Sequence, residues 1–97
     1  MVKIVWRKKA LSELNRIYKH IQKSSPQSAI KVRDEIFATA DELGLHPEIY
    51  PLDRFKKDND GTFRAFEKYS YRITYRVLKT EISMLRVRHT SREPLNY

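Results

Sequence analysis

The sequence predicts a two-layer α+β domain with the element order β-α-α-β-β-β. Two amphipathic helical stretches follow one another, three segments of alternating polarity fill the C-terminal third, and links of two residues join those segments. Apolar residues that recur every three to four positions indicate a helix, whereas strict alternation indicates a strand with one buried face. A chain of 97 residues has the length of one domain, so we expect residues 1–97 to form one domain.

The N-terminal half of the sequence predicts one strand and a helical hairpin. Residues 2–6 are rich in valine, isoleucine and tryptophan, which favour a short strand. Residues 8–23 carry apolar side chains at the spacing of one helix face. Ser25 is a typical N-terminal cap for a second helix over residues 26–43, and Gly44 is expected to cap its C-terminal end.

The C-terminal half predicts a three-stranded antiparallel meander over residues 63–68, 71–78 and 81–88. In the last strand, Leu85 and Val87 are expected on one face, and Met84 is expected on the other. The irregular segment 45–62 is long for a loop in a small domain, which is typical of a functional or mobile loop.

The charge of the chain is strongly basic, at +8 with an isoelectric point near 9.9. Residues 61–97 contain 8 basic and 3 acidic side chains, and most of the basic ones are arginine. Because arginine matches the geometry of phosphate, this balance indicates an anionic partner such as nucleic acid. A solvated surface that promotes solubility is an equally good interpretation of the charge alone.

Arginines of the meander are expected to share the sheet face that the helices leave uncovered. Neighbouring strands lie about 5 Å apart, so the guanidinium groups of these arginines repel one another unless a bound anion neutralises them. Pairing with Glu67, Glu81 or Glu93, or stacking over tyrosine rings, is the alternative. The expected open-face set is Arg64, Arg72, Arg76, Arg86 and Arg88.

Several classes of protein are excluded or disfavoured by the residues present. The chain has no cysteine, its three histidines are scattered, and its two glycines form no phosphate loop, so we expect no metal and no cofactor. No apolar stretch approaches the roughly 20 residues that a membrane helix needs, and the N-terminus does not resemble a signal peptide. We therefore expect a cytoplasmic protein.

The C-terminal segment carries residues suited to metal-independent cleavage of RNA. His89 can transfer protons, Arg92 can stabilise charge on a phosphate, and Tyr97 can act as a base where cations lower its pKa. A hydrogen-bonded residue at the strand end is the alternative interpretation of His89, and it is the one that the residues alone favour.

Two stretches carry a resemblance to a known family. These are Tyr-Arg-Ile-Thr-Tyr-Arg-Val at 71–77 and His-Thr-Ser-Arg at 89–92, which follow the helical N-terminal half. Together they resemble the RelE/ParE superfamily of bacterial toxins over essentially the whole chain. The resemblance implies a type II toxin that arrests growth unless a cognate antitoxin binds it.

RelE-like members cleave messenger RNA on the ribosome with basic residues on the sheet and a C-terminal tyrosine. Carried over by position, the resemblance implies catalytic roles for Arg64, Arg72, Arg92 and Tyr97. His89 joins them as a catalytic candidate because of its own proton chemistry. It leaves Arg76, Arg86 and Arg88 as candidate nucleic-acid-binding residues.

ParE-like members poison DNA gyrase and lack the ribonuclease residues. Their endings often read Val-x-His-x-x-Arg-Asp, which the segment 87–93 closely matches. Phe66 stands where RelE has a second lysine, which weakens the nuclease interpretation. The arginine-rich face and the terminal Tyr97 favour the RelE branch. Ribosome and gyrase therefore both remain candidate targets, and a non-enzymatic module that binds nucleic acid or protein is the alternative of a different class.

Overall fold

The computed structural model describes residues 2–92 and has the α+β architecture that the sequence predicts. The predicted helices and strands all form, and each boundary lies within one residue of its expected position. The elements are β1 (Lys3–Trp6), α1 (Lys8–Gln22), α2 (Pro26–Glu42), β2 (Phe63–Lys68), β3 (Tyr71–Val77) and β4 (Glu81–His89).

The helices form where capping and apolar spacing agree. α1 buries Ala10 and Leu14, which lie one turn apart. The Ser25 side chain accepts a hydrogen bond from the backbone N–H of Ser28 at 3.2 Å, and Pro26 occupies the first turn of α2, as predicted. At the other end Leu43 occupies the C-cap position expected for Gly44, and Gly44 follows it. Gly44 has no positive φ, and its N–H donates to the carbonyl of Asp41 at 3.2 Å, so a tight final turn ends the helix.

The four strands form one sheet in the order β1-β4-β3-β2. β2, β3 and β4 are antiparallel neighbours, as the short links predict, whereas β1 pairs in parallel with the first half of β4, from Lys3 opposite Glu81 to Trp6 opposite Met84. The chain leaves β1 at Trp6 and enters α1. The second half of β4 consequently has an edge that no strand of residues 2–92 covers.

A β-bulge in β4 overturns the predicted placement of Met84. Thr74 pairs with Arg86 and Tyr75 pairs with Met84, so Leu85 is the extra residue of the strand. The bulge changes the phase of the side chains, which places Met84 in the core together with Val87. Simple alternation had predicted opposite faces for these two residues.

The core lies between the helices and one face of the sheet, which we call the core face. Its largest fully buried side chains are Tyr75, Ile36, Leu43, Ile73, Ile82 and Met84. The segment between α2 and β2 wraps around the β2 edge of the sheet, where Leu52 forms a bridge with Arg64. Side chains of residues 53–62 then contact arginines on the opposite face of the sheet.

No helix within residues 2–92 has both the length and the apolar character needed to cross a membrane. The same residues contain no group of three histidine, aspartate or glutamate side chains that could hold a metal ion.

Candidate functional site

Arg72 lies on the opposite face of the sheet, as predicted, and the protein's own carboxylates surround it. One guanidinium nitrogen donates to Oδ1 of Asp53 at 2.7 Å, and the other donates to Oε2 of Glu67 at 3.0 Å. The guanidinium also lies 4.8 Å from the ring centre of Phe55. Asp53 is 2% exposed, so its charge depends on Arg72 for compensation. The counterions of Arg72 are therefore side chains of the protein itself.

Arg76 is held in the same way on the same face. Its Nε donates to the hydroxyl of Thr62 at 3.0 Å, its guanidinium pairs with Asp60, and Phe63 packs beneath it. Hydrogen bonds from the side chain and backbone of Thr62, followed by the charge of Arg76, hold the pKa of Asp60 below its ordinary value of 3.8. The long segment between α2 and β2 thus supplies the acceptors for two sheet arginines.

Arg64 does not lie on the face predicted for it. Arg64 pairs with Tyr75 in the β2–β3 register, and paired residues point to the same side of a sheet, so Arg64 belongs to the core face. One guanidinium nitrogen donates to the carbonyl of Tyr50 at 2.6 Å, which fastens the long segment to the sheet. Burial raises the pKa of Tyr75 to about 12, against a smaller opposing effect of the nearby Arg64 charge.

Arg86 is also absent from the predicted cluster, because it binds α1. Its guanidinium forms a two-nitrogen contact with the carboxylate of Glu13, at 2.8 and 3.0 Å. Glu13 additionally accepts the backbone N–H of Val87 at 3.0 Å. This N–H belongs to the half of β4 that β1 leaves unpaired, so a helix side chain replaces the missing strand. Of the five arginines predicted to cluster, Arg72, Arg76 and Arg88 share the opposite face.

A groove of about 360 Å³ lies between α1 and the C-terminal end of β4. Its cationic and titratable lining consists of Arg16, His20, Arg88, His89 and Arg92, and Tyr71, Ile17 and Val87 supply apolar surface. Within residues 2–92, the side chains of Arg16, His20 and Arg88 take part in no hydrogen bond or ion pair. The groove therefore brings together three cationic or titratable side chains that no described side chain engages.

His89 stands at the mouth of this groove in a defined orientation. Its ring lies edge-on to Tyr71, with the ring centres 5.2 Å apart. Nδ1 is 3.0 Å from the backbone N–H of Ser91 and 2.7 Å from its hydroxyl. Because a backbone N–H can only donate, Nδ1 is the acceptor and the neutral ring carries its proton on Nε2. His89 therefore offers an N–H donor to the groove.

Comparison with known proteins identifies the family. The model of the "ParE toxin of type II toxin-antitoxin system, parDE" matches residues 4–94. The chain belongs to the ParE toxin family. It is thus the toxin of a type II toxin–antitoxin system, and a cognate antitoxin is its partner. The resemblance proposed from the sequence is confirmed.

A solved structure supports the ParE fold of this toxin. A chain of the "Chromosomal ParDE TA system from P. aeruginosa" matches over 94% of this chain and 98% of its own length, with 24% identity and a TM-score of 0.75. At this identity the likeness establishes the fold. A comparison with curated proteins found no match to the chain.

The structure does not gather the predicted site residues of the toxin in one place. His89 and Arg92 line the groove, and Arg88, which lies on the opposite face beside Arg72, also lines it. Arg72 and Arg76 lie against the long segment, and Arg64 and Arg86 are held by Tyr50 and Glu13. Tyr97 lies outside the described residues. Arg16 and His20 were missed, although their position three and seven residues after Glu13 on α1 places all three on one side of the helix.

Proposed function

We propose that this ParE-family toxin arrests growth by binding DNA gyrase, and that it does not cleave messenger RNA. The ion pair between Arg72 and the buried Asp53 is the observation that carries the proposal. Cleavage of RNA without a metal needs cations that are free to follow the charge developing on the phosphate. Arg72 is already committed to a carboxylate, and its release breaks an ion pair with a side chain that has no exposure to solvent.

Two further predicted catalytic residues are engaged in ways that oppose a nuclease. Arg64 donates to a backbone carbonyl on the core face, away from Arg72. His89 holds its proton on Nε2 while Nδ1 accepts from Ser91, so the neutral ring has no free nitrogen to remove a proton from a 2′-hydroxyl. Membership in the ParE family supports the same conclusion, because ParE-like toxins poison gyrase.

Messenger RNA cleavage is the second candidate, and the α1–β4 groove is the observation that favours it. Arg88, His89 and Arg92 lie together there, so a nuclease built on this fold would use the groove in place of the sheet arginines. In that arrangement His89 would act as the imidazolium, with the Ser91 N–H released from Nδ1, and would return to the neutral ring on giving its Nε2 proton to the leaving oxygen. Water would take the proton of the attacking 2′-hydroxyl, and Arg92 would contact the phosphate. Either target places the action of the toxin in the cytoplasm.

Brief induction of the toxin in bacteria separates the two functions. We expect growth arrest with a DNA damage response and intact transcripts, and we expect co-expression of the antitoxin to remove the arrest. Messenger RNA 5′ ends are mapped by codon position in cells that express the wild type or Arg92→Ala. New ends inside translated codons, absent with Arg92→Ala, would replace the gyrase proposal by the nuclease. Normal growth would instead indicate a binding module without toxic activity.

A further inference from the structure

The groove between α1 and β4 exists because β1 is short. β1 covers β4 only as far as Met84, so α1 lies beside the rest of the β4 edge, where Glu13 accepts a hydrogen bond from the Val87 N–H and a groove remains between the helix and the strand end. Arg16 and His20 extend from α1 on one side, and Arg88 and His89 extend from the strand on the other. Arg92, in the turn that follows β4, completes the cationic wall.

The positive charge of this groove has no internal counterion within residues 2–92. Glu13 is the one carboxylate in the described lining, and its two oxygens receive the Arg86 guanidinium and the Val87 N–H. Glu13 is therefore committed to the edge of β4. The groove differs in this respect from the part of the opposite face where Asp53, Glu67 and Asp60 neutralise Arg72 and Arg76.

We propose that the α1–β4 groove binds the phosphodiester backbone of a nucleic acid. Three arginines supply guanidinium groups that contact phosphate through two donors each, and His89 supplies an additional N–H donor. The apolar surface of Ile17, Val87 and Tyr71 lies between them and suits contact with the sugars. The inference is independent of whether gyrase is the target.

A polynucleotide fits the groove better than a single carboxylate does. Cations stand on both walls and around the turn after β4, so a ligand must present several negative charges along its length. Successive phosphates do so at every nucleotide, and they make binding strongly dependent on salt. Duplex DNA and single-stranded RNA share this chemistry, and direct binding distinguishes them.

Fluorescence anisotropy with the full chain tests the proposal. A labelled DNA duplex and a single-stranded RNA of the same sequence are titrated over a range of salt concentrations. We expect Arg16→Ala/Arg88→Ala to weaken binding roughly tenfold or more and to reduce the slope of log affinity against log salt by about 2. The control, Lys31→Ala/Lys79→Ala, removes the same charge outside the groove and is expected to weaken binding by only about twofold. Tighter binding of DNA or of RNA identifies the source of the phosphates.

Two results would overturn the proposal. One is equal binding by the groove variant, the control and the wild type. The other is displacement of the nucleic acid by a polyglutamate peptide at the same concentration of charge, which would assign the groove to acidic protein segments. Backbone amide shifts of the wild type on adding the duplex give a measurement that needs no variant. We expect them at Arg16, His20 and residues 88–92, and shifts confined to other surfaces would also refute the proposal.

Discussion

The guanidinium of Arg72 donates to the carboxylate of Asp53 at 2.7 Å, and the Asp53 side chain has no exposure to solvent. Asp53 also accepts the N–H of Phe55 at 3.0 Å, so one buried side chain connects the sheet to the segment that crosses its β2 edge. The pair compensates the charge of Arg72 on the face that also carries Arg76 and Arg88.

Replacement of Asp53 by asparagine is expected to lower the free energy of unfolding by about 2–4 kcal/mol, because it leaves Arg72 without its buried counterion. Urea denaturation measures the change. Asp34→Asn is the matched control, since Asp34 forms an exposed pair with Arg33 and should change stability by less than about 1 kcal/mol. Equal effects of the two substitutions would mean that the Asp53 pair contributes little.

The raised pKa of the Tyr75 phenol predicts that the protein loses stability in alkali. Burial raises its pKa from 10.0 to about 12, so between these values the folded protein keeps a proton that the unfolded chain has released. The contribution is complete below pH 10 and is lost as the pH rises through 12. We expect Tyr75→Phe to flatten this part of the stability profile in urea denaturation from pH 9 to 12, and Tyr69→Phe, at an exposed site, to leave it in place. An unchanged profile in Tyr75→Phe would contradict the assignment.

Glu13 is expected to hold the free edge of β4. Glu13→Gln should destabilise the fold by about 2 kcal/mol, since it weakens a charge-assisted contact between two side chains that are each 15% exposed. Hydrogen exchange gives the specific readout, because the Val87 N–H should exchange faster in the variant. Glu42→Gln, at an exposed position, serves as the control with an effect within about 0.5 kcal/mol. Protection of Val87 that survives in Glu13→Gln would show that the edge needs no such cap.

The elements of the fold could be predicted from local patterns, because caps, helical spacing and two-residue links are encoded within a few positions. The bulge at Leu85 could not be predicted in this way. Met84 and Val87 are both apolar, but regular alternation along the strand places only one of them on the core face. Arg64 was placed on the wrong face for a similar reason. Residues 63, 65 and 66 are all apolar, so the phase of β2 is decided by Phe66 packing in the core.

The candidate site was predicted only in part because it depends on contacts between distant segments. His89 and Arg92 follow from the C-terminal motif, and both lie within residues 4–94, which the family model matches. The position of Arg16 and His20 opposite them depends on the parallel pairing of β1 with β4 and on how far it extends. Nothing local in the sequence fixes that length. The carboxylates that neutralise Arg72 and Arg76 come from an irregular segment whose path is set by its tertiary contacts.

The central claim is that this ParE-family toxin acts on gyrase, and the supercoiling of relaxed plasmid by purified gyrase tests it most directly. We expect the full-length toxin to inhibit supercoiling and to cause cleaved DNA to accumulate. Prior addition of the antitoxin should restore the supercoiled product, and heat-unfolded toxin should have no effect. Complete supercoiling in the presence of a large excess of folded toxin would contradict the claim.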